Sequence, residues 1–308
     1  MLALSTKGAS AMEASDAVGT VTGLWRFPVK SMLGEELDAL EVTEGGIVGD
    51  RAFALIDKET GKVVSAKHPK LWPDLLRCRA VFDETPLPGE ELPPARIDLA
   101  DGTSVMSDAP DVDTVLSRFC GREVELARAA PPDFTIDQYH PDQEHLDPQG
   151  HRDEFTETKL GTALFEELGQ PSPVPEGSFF DVFPISLMTT SMLDHLNELE
   201  PRSDFDLRRF RMNVIVETPE TGFVENSWLG RALTVGDDVA LAVAMPDPRC
   251  VMTTVAQEGL ERDPNILKAL AKHNRIDVAG GGLYPCAGVY AVVASPGTLR
   301  KGARVAVT

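Results

Sequence analysis

Short strand-like segments separated by turns make up most of this chain, and long helical patterns are few. Between residues 21 and 106, runs such as VTGLWRFPV, RAFALID and KVVSA alternate with turns that carry Gly, Pro or Asp. The C-terminal part continues in the same way with NVIVE, ALTVG, VALAVAM, GVYAVVA and ARVAV. Helical periodicity is confined to four short segments. The sequence therefore predicts a mainly β protein with some α structure (α+β), built from two β-barrel-like domains.

Changes in composition predict where these domains begin and end. The first residues, 1–19, have no strong pattern and are predicted to be a disordered tail. Residues 20–130 form the predicted N-terminal β-rich domain. Residues 131–178 are rich in Pro, Asp, Gln and His and are predicted to be a linker or an insertion, since a structureless loop of that length is uncommon. Residues 179–308 then form the second domain.

The charge balance excludes several classes of partner. With 49 acidic and 29 basic residues, the 308-residue chain has a formal net charge of -20, which argues against binding to nucleic acid or to anionic membranes. No apolar stretch approaches the ~20 residues of a membrane-spanning helix, and the N-terminus lacks the apolar run of a secretory signal. The four cysteines are far apart in sequence, so we expect no disulfide framework and a cytoplasmic location.

One cysteine is set in a reactive context. Cys250 follows Arg249 and the turn-like segment Pro246–Pro248. An exposed thiol beside an arginine favours the thiolate, which attacks electrophiles and binds soft metals. A lone cysteine is also often a small core residue, and sequence spacing alone leaves these two interpretations about even.

Three short basic segments stand out against the acidic composition. Lys30 and Ser31 end an apolar strand, and Arg51 opens another. Arg211 and Asn213 are predicted to share one side of the approach to the strand VIVE, together with Arg209. Each segment taken alone is explained better by a solvated loop or a surface ion pair. They would form an anion site only if they met in space, because several converging donors are needed to hold a phosphate.

Taken together and in order, these segments resemble a known family. The pieces FPVKSMLG, GIVGDRAFALID, RFRMNVIV, ENSWLG, RCVMTTV and PGTLRKGARV are similar to those of MOSC-domain proteins with an N-terminal MOSC-associated β-barrel domain, the group that includes the mitochondrial amidoxime-reducing components. The resemblance implies binding of the molybdenum cofactor, a molybdopterin that carries molybdenum. It implies that Cys250 is the thiolate ligand of molybdenum and that Asp181 is a catalytic acidic residue near the metal. It implies that the cofactor is held by Lys30, Ser31, Arg51, Arg211, Asn213 and Arg249.

The resemblance also implies an activity. A protein of this kind would be a molybdenum-dependent oxidoreductase that reduces N-hydroxylated compounds, such as amidoximes or hydroxylamine bases. No flavin motif or cluster-binding cysteines are present, so a separate ferredoxin-, flavin- or cytochrome-type protein would donate the electrons. Two alternatives remain: a non-catalytic carrier or storage protein for the cofactor, and a sulfur carrier that forms a persulfide on Cys250. Val182 and Phe183 replace the small hydroxyl residues expected after Asp181, which bears on the identity of the substrate.

Overall fold

The fold was analysed in a computed structural model that describes residues 17–308. The strands of this region are β1 (Ala17–Arg26), β2 (Glu35–Glu36), β3 (Ala39–Thr43), β4 (Gly46–Ile47), β5 (Ala54–Asp57), β6 (Arg79–Phe82), β7 (Ala95–Asp98), β8 (Ser104–Met106), β9 (Val124–Ala127), β10 (Thr135–His140), β11 (Glu154–Lys159), β12 (Ile185–Thr189), β13 (Val214–Glu217), β14 (Ala232–Val235), β15 (Val239–Pro248), β16 (Arg275–Asp277), β17 (Leu283–Ser295), β18 (Gly297–Arg300) and β19 (Arg304–Val307). The helices are α1 (Val112–Cys120), α2 (Gly161–Glu167), α3 (Thr190–Leu199) and α4 (Asn265–His273), and short 3-10 helices cover Leu75–Arg77, Leu207–Arg209, Val224–Trp228 and Val251–Thr254. The prediction of a mainly β protein with some α structure is confirmed.

A closed seven-stranded barrel forms the larger part of the molecule. Its strands follow the order β12-β13-β1-β19-β14-β15-β17, and β17 closes the ring by pairing with β12. All of these pairings are antiparallel except that of β12 with β13. Alternate side chains point inward and fill the barrel with Val, Leu and Ile.

The first described strand belongs to this barrel although it is distant in sequence from the other six. In β1, Val21 lies opposite Val216 of β13, and Thr20 lies opposite Arg304 of β19. The predicted disordered tail, residues 1–19, falls outside the described residues except for 17–19, which are part of β1. The chain then leaves the barrel directly into the segment that holds Lys30 and Ser31.

The rest of the N-terminal half folds around a second core. Two small sheets, β5-β9 and β6-β7-β8, pack with α1 around a cluster that includes Met32, Phe53 and Leu116. A third sheet, β18-β3-β4, joins the two halves, because β18 comes from the C-terminal part. Gly121 ends α1 with a φ of 64°, a left-handed conformation that glycine adopts at low cost.

Residues 131–178, predicted to be a linker or insertion, contain regular structure. Strands β10 and β11 pair in register from Thr135 opposite Lys159 to His140 opposite Glu154. Phe134 and Ile136 are buried with Phe179, and this anchors the hairpin to the molecule. Helix α2 follows. No helix within residues 17–308 has the length and apolar character needed to cross a bilayer.

A buried carboxyl group lies beneath helix α3. Thr189 caps α3 through its side chain, and its backbone N–H and Oγ1 both donate to the carboxyl of Glu225, at 3.2 and 2.7 Å. Glu225 is fully buried, and burial raises its pKa to about 7. In the folded protein this carboxyl therefore keeps its proton at pH values where the unfolded chain has lost it.

Glu225→Gln is expected to reduce the loss of stability that occurs as pH rises. Between the ordinary pKa of 4.5 and about 7, the folded state binds one more proton at this site than the unfolded state, so the free energy of unfolding falls with pH. Above pH 7, this loss of unfolding free energy in the wild type, relative to pH below 4.5, amounts to roughly 3 kcal/mol. Urea denaturation at about pH 5 and about pH 8 measures it. The exposed Glu217→Gln serves as control, and parallel pH profiles for Glu225→Gln and the wild type would contradict the assignment.

Candidate functional site

All eight residues predicted for the site line one cavity of about 230 Å³ between the barrel and the N-terminal half. They come from five chain segments that converge there: Lys30 and Ser31 after β1, Arg51 before β5, Asp181 before β12, Arg211 and Asn213 before β13, and Arg249 and Cys250 after β15. The basic segments therefore meet in space, as the formation of an anion site requires. The roles assigned to the individual residues remain predictions.

Three of these residues have an unusual backbone conformation. Ser31, Arg51 and Arg211 have φ values of 66°, 49° and 56°, and they make up half of the non-glycine residues with positive φ in the described part of the chain. For an ordinary side chain this region costs about 1–3 kcal/mol and is retained only where the surrounding structure imposes it. The strain is therefore concentrated at the wall of this cavity.

Two guanidinium groups flank a single aromatic ring. The Cζ atoms of Arg51 and Arg211 lie 4.5 and 4.4 Å from the ring centroid of Phe27, within the range of cation–π attraction. Arg51 also donates to the carbonyl of Arg211 at 3.3 Å, which supports the left-handed conformation there. Burial, and to a lesser extent the charge of Arg51, lower the pKa of Arg211 to about 9. The protein thus holds two cations together at a desolvated position, where an anion would be stabilised.

Asp50 is the anion that the protein itself supplies to this pair. Its carboxylate is completely buried, accepts a bond from the N–H of Phe27 at 2.7 Å and pairs with Arg51 at 2.6 Å. Asn213 donates Nδ2 to Asp50 at 3.0 Å and to the carbonyl of Trp25 at 3.2 Å. The Oδ1 atom of Asn213 accepts both the N–H and the hydroxyl of Ser186. Because the hydrogen-bonding capacity of its amide is used in this way, Asn213 acts in this structure by positioning Asp50.

Asp50→Asn is expected to lower the free energy of unfolding by about 3–5 kcal/mol, because it leaves buried guanidinium charge without its counter-ion. Urea denaturation of the cofactor-free protein measures the loss. Asp98→Asn is the matched control, since Asp98 pairs with Arg96 at the surface, where an ion pair contributes about 1 kcal/mol or less. Equal effects of the two substitutions would contradict this description.

A half-buried carboxylate between two lysines forms another part of the wall. Asp181 contacts Lys30 Nζ through Oδ1 and Lys67 Nζ through Oδ2, the latter at 2.7 Å. Burial alone would raise the pKa of Asp181, but the two ammonium groups hold it well below its usual range. Burial lowers the pKa of Lys30 to about 8 despite this contact. Asp181 is therefore ionised at neutral pH. The adjacent Lys30, with a pKa of about 8, titrates close to neutral pH.

Cys250 lies just after the long strand β15, immediately before a 3-10 helix. It is half-buried and free of disulfides. The neighbouring Arg249 pairs with Asp247 and donates to the carbonyl of Phe210, each at 2.5 Å. Arg249 Nε and Asp247 Oδ1 are buried and have no hydrogen-bond partner within residues 17–308. Such orphaned polar atoms are costly unless a ligand or water meets them.

The charge and the donor set of the cavity fit an anionic cofactor with a soft metal. Six lysine or arginine residues and three aspartates line it, a surplus of three positive charges in a chain of net charge -20. The arginines suit phosphate recognition, and the thiol of Cys250 suits a metal that prefers sulfur. The unpaired Arg249 Nε is a further buried donor for such a group.

Sequence reasoning missed several residues that line this cavity or lie directly behind its wall. Lys67 stands in the run KVVSAKHPK, which has no motif, and Asp50 gave no signal beyond its place next to Arg51. Asp247 lies in strand β15, which runs through Pro246–Pro248 where the sequence predicted a turn; it is buried there, and burial raises its pKa to about 6. Phe183 stacks on Tyr290 with ring centroids 5.6 Å apart and adds an aromatic wall. Phe183 stood out in the sequence only as a departure from the family pattern, and the roles of Lys67, Asp50 and Asp247 became recognisable only when their neighbours in space were known.

Comparison with known proteins gives two family-model matches and several relatives. Residues 175–306 match the family model of the MOSC domain, and residues 18–88 match that of the MOSC N-terminal beta barrel domain. Mitochondrial amidoxime reducing component 2 of Rattus norvegicus is 28% identical over 298 residues, covering 92% of this chain and 82% of that protein. Mitochondrial amidoxime-reducing component 1 of Homo sapiens is 25% identical over 301 residues, with the same two coverages. The solved structure of the YUAD protein from Bacillus subtilis aligns with 94% of this chain and with 95% of the YUAD chain. The sequence identity is 12% and the TM-score is 0.43.

The chain is therefore a MOSC-domain protein that also carries the MOSC N-terminal β-barrel domain. Among curated proteins it is similar to the mitochondrial amidoxime reducing components, at 25–28% identity.

Proposed function

We propose that this protein binds molybdenum cofactor in the cavity around Cys250 and uses it to reduce N-hydroxylated compounds. The observation that carries the proposal is the combination of a half-buried thiol with a surplus of buried cations in one cavity of an otherwise acidic protein. The similarity to proteins named amidoxime reducing components supports the reaction class.

The cofactor would be held by residues on both halves of the molecule. Arg51 and Arg211, which both contact the Phe27 ring, would bind its anionic end, and Ser31 and Lys30 would add donors from the N-terminal side. Arg249 would contribute its free Nε–H, and the Cys250 thiolate would bind the metal. When bound, the cofactor would supply the redox chemistry.

The reaction sets requirements that the cavity can meet. Cleavage of the N–O bond of a hydroxylamine consumes two electrons and two protons and releases an amine and water. We assign the electrons to a separate redox protein, since the four cysteines are far apart in sequence and lack the spacing of a cluster-binding motif. Lys30 and Asp247, with pKa values of about 8 and about 6, can exchange protons near neutral pH. Asp181 stays ionised and keeps Lys30 and Lys67 in place.

The aromatic side of the cavity bears on the substrate. Phe183 stacks on Tyr290 and meets Phe165 edge-on, with centroids 6.1 Å apart. A flat, apolar substrate body would pack on this surface with its N–OH group directed to the polar side. We therefore expect aromatic amidoximes and hydroxylamines to be better substrates than small aliphatic ones.

The proposal is tested by assaying molybdenum-loaded protein with benzamidoxime and a strong artificial electron donor. Formation of benzamidine, in proportion to molybdenum content, is the expected result. If the loaded protein reduces no N-hydroxylated compound, the reductase proposal is wrong. Transfer of its cofactor to a cofactor-free molybdenum enzyme would in that case identify a carrier or storage protein. A persulfide on Cys250, found by mass spectrometry in protein without cofactor, would identify a sulfur carrier.

A further inference from the structure

A second group of potential metal ligands lies at the rim of the cavity, in the hairpin of strands β10 and β11. His140 is the last residue of β10, and Asp147 and His151 lie in the loop that leads to β11. Each of the three side chains offers one ligand atom, and these three atoms lie within 4.8 Å of one another. Sequence spacing did not reveal the group, because the loop has to fold back on β10 to form it.

The two imidazoles approach the same carboxylate oxygen. His151 Nδ1 lies 2.5 Å from Asp147 Oδ2, and His140 Nδ1 lies 3.5 Å from that atom. The two ring centroids are 5.0 Å apart. Two ring nitrogens directed at one anionic oxygen form the kind of arrangement that a single cation can bridge.

Each ligand is held in place by a further contact. The other nitrogen of His140, Nε2, is hydrogen-bonded to Thr156 Oγ1 of β11 at 2.8 Å, which leaves Nδ1 directed at Asp147. The carboxylate of Asp147 is fixed by the N–H groups of Gln149 and His151 at 3.0 and 3.3 Å. Such outer partners orient the ligands of metal sites and set the tautomer of the histidines.

The surroundings favour a cation. From His140 to Glu154 the chain carries five acidic residues and one arginine, Arg152, whose charge is taken up by Asp142 and Glu144 at 2.7 and 3.5 Å. The side chain of Asp147 is only 8% exposed, so its charge is poorly solvated. A bound divalent ion would compensate it.

We propose that His140, Asp147 and His151 bind one Zn²⁺ ion, with a fourth position left to water. Two imidazoles and a carboxylate are the ligand types that suit this borderline ion. Leu146, next to Asp147, is buried against Leu267 and Ala271 of α4 and also lines the cavity. The ion would add a second anchor for the loop, so it would fix the rim of the cavity and narrow access to Cys250. The proposal does not depend on the reductase activity.

The test is a Zn²⁺ titration of the purified full chain against a chromophoric chelator at neutral pH, with wild type and four variants. The wild type is expected to bind one ion per chain. His151→Ala and Asp147→Asn are expected to raise the dissociation constant by more than the roughly 10- to 100-fold that the loss of an outer partner costs. His145→Asn, in the same loop but outside the group, and Cys250→Ala, which removes the thiol of the main cavity, are expected to bind like the wild type.

X-ray absorption at the zinc edge gives an independent readout that does not require a variant to fold. The expected spectrum has imidazole nitrogen and oxygen neighbours near about 2.0–2.1 Å and no sulfur at about 2.3 Å. A sulfur neighbour, or loss of binding in Cys250→Ala, would place the ion at Cys250 and overturn the proposal. It would also be overturned if the wild type bound no ion, or if His151→Ala and Asp147→Asn bound it as tightly as the wild type.

Discussion

Cys250→Ala is expected to lower N-reductive activity at least ~100-fold, which corresponds to roughly 3 kcal/mol in activation free energy. In the proposed function, its thiolate would bind the metal, and alanine offers no ligand to replace it. The fold should be unaffected, because Cys250 is half-buried and its side chain is outside the buried clusters formed by the described residues. Steady-state reduction of benzamidoxime, with thermal unfolding measured on the same samples, checks both expectations.

Cys120→Ala is the matched control for this experiment. Cys120 is another half-buried free thiol, but it lies on α1 outside the cavity, and burial raises its pKa to about 11. Its replacement should leave turnover unchanged. Normal turnover in Cys250→Ala would show that this thiolate is not required and would remove the ligand assignment.

Arg51→Ala and Arg211→Ala are each expected to weaken retention of the cofactor about 10- to 100-fold. A hydrogen bond to a charged group contributes about 1.5–3 kcal/mol, and both guanidinium groups would face the anionic end of the cofactor. Molybdenum and pterin remaining per chain after gel filtration measure the loss. Arg300→Ala, an exposed arginine of β18, is the control and should retain the wild-type content.

The stability of the cofactor-free variants separates binding from folding. Burial lowers the pKa of Arg211 to about 9, so its charged form is unfavourable in the empty cavity. Removing this cation should leave the melting temperature of cofactor-free protein unchanged or higher, while cofactor retention falls. Such a loss of function without loss of stability is typical of groups retained for binding. A large drop in melting temperature, together with full cofactor retention, would assign Arg211 a structural role instead.

The class of fold could be predicted from the sequence, but the connections between strands could not. Alternating apolar residues identify most strands of the barrel because one face of each is buried. The same alternation does not say which strand is the neighbour, so the pairing of Val21 with Val216 has no local signal. Segment 131–178 was harder to interpret because TIDQYH and EFTETK are polar strands, in which only Ile136 is buried.

The site was predictable where its residues belong to recognisable segments. Arg51, Arg211 and Cys250 lie in such segments, and the resemblance, rather than spacing, indicated that they meet. Lys67 could not be found in this way, because a single lysine between two strands has no pattern, and only its 2.7 Å contact with Asp181 reveals it. Asn213 was predicted to bind cofactor, and this stays a prediction; the structure adds that its amide is hydrogen-bonded to Asp50, Trp25 and Ser186. Hydrogen-bond partners of this kind depend on distances that sequence does not contain.

The central claim, that the cavity around Cys250 binds molybdenum cofactor, is tested most directly by measuring molybdenum and pterin per chain. The protein should be purified from a host that makes the cofactor in excess, with Arg211→Ala and Arg300→Ala prepared in parallel. Arg211→Ala is chosen over Arg51→Ala because it leaves the buried Asp50–Arg51 pair intact. The proposal predicts close to one molybdenum and one pterin per chain in the wild type and in Arg300→Ala, and little of either in Arg211→Ala. Wild-type protein that carries neither metal nor pterin, from a host shown to contain both, would contradict it.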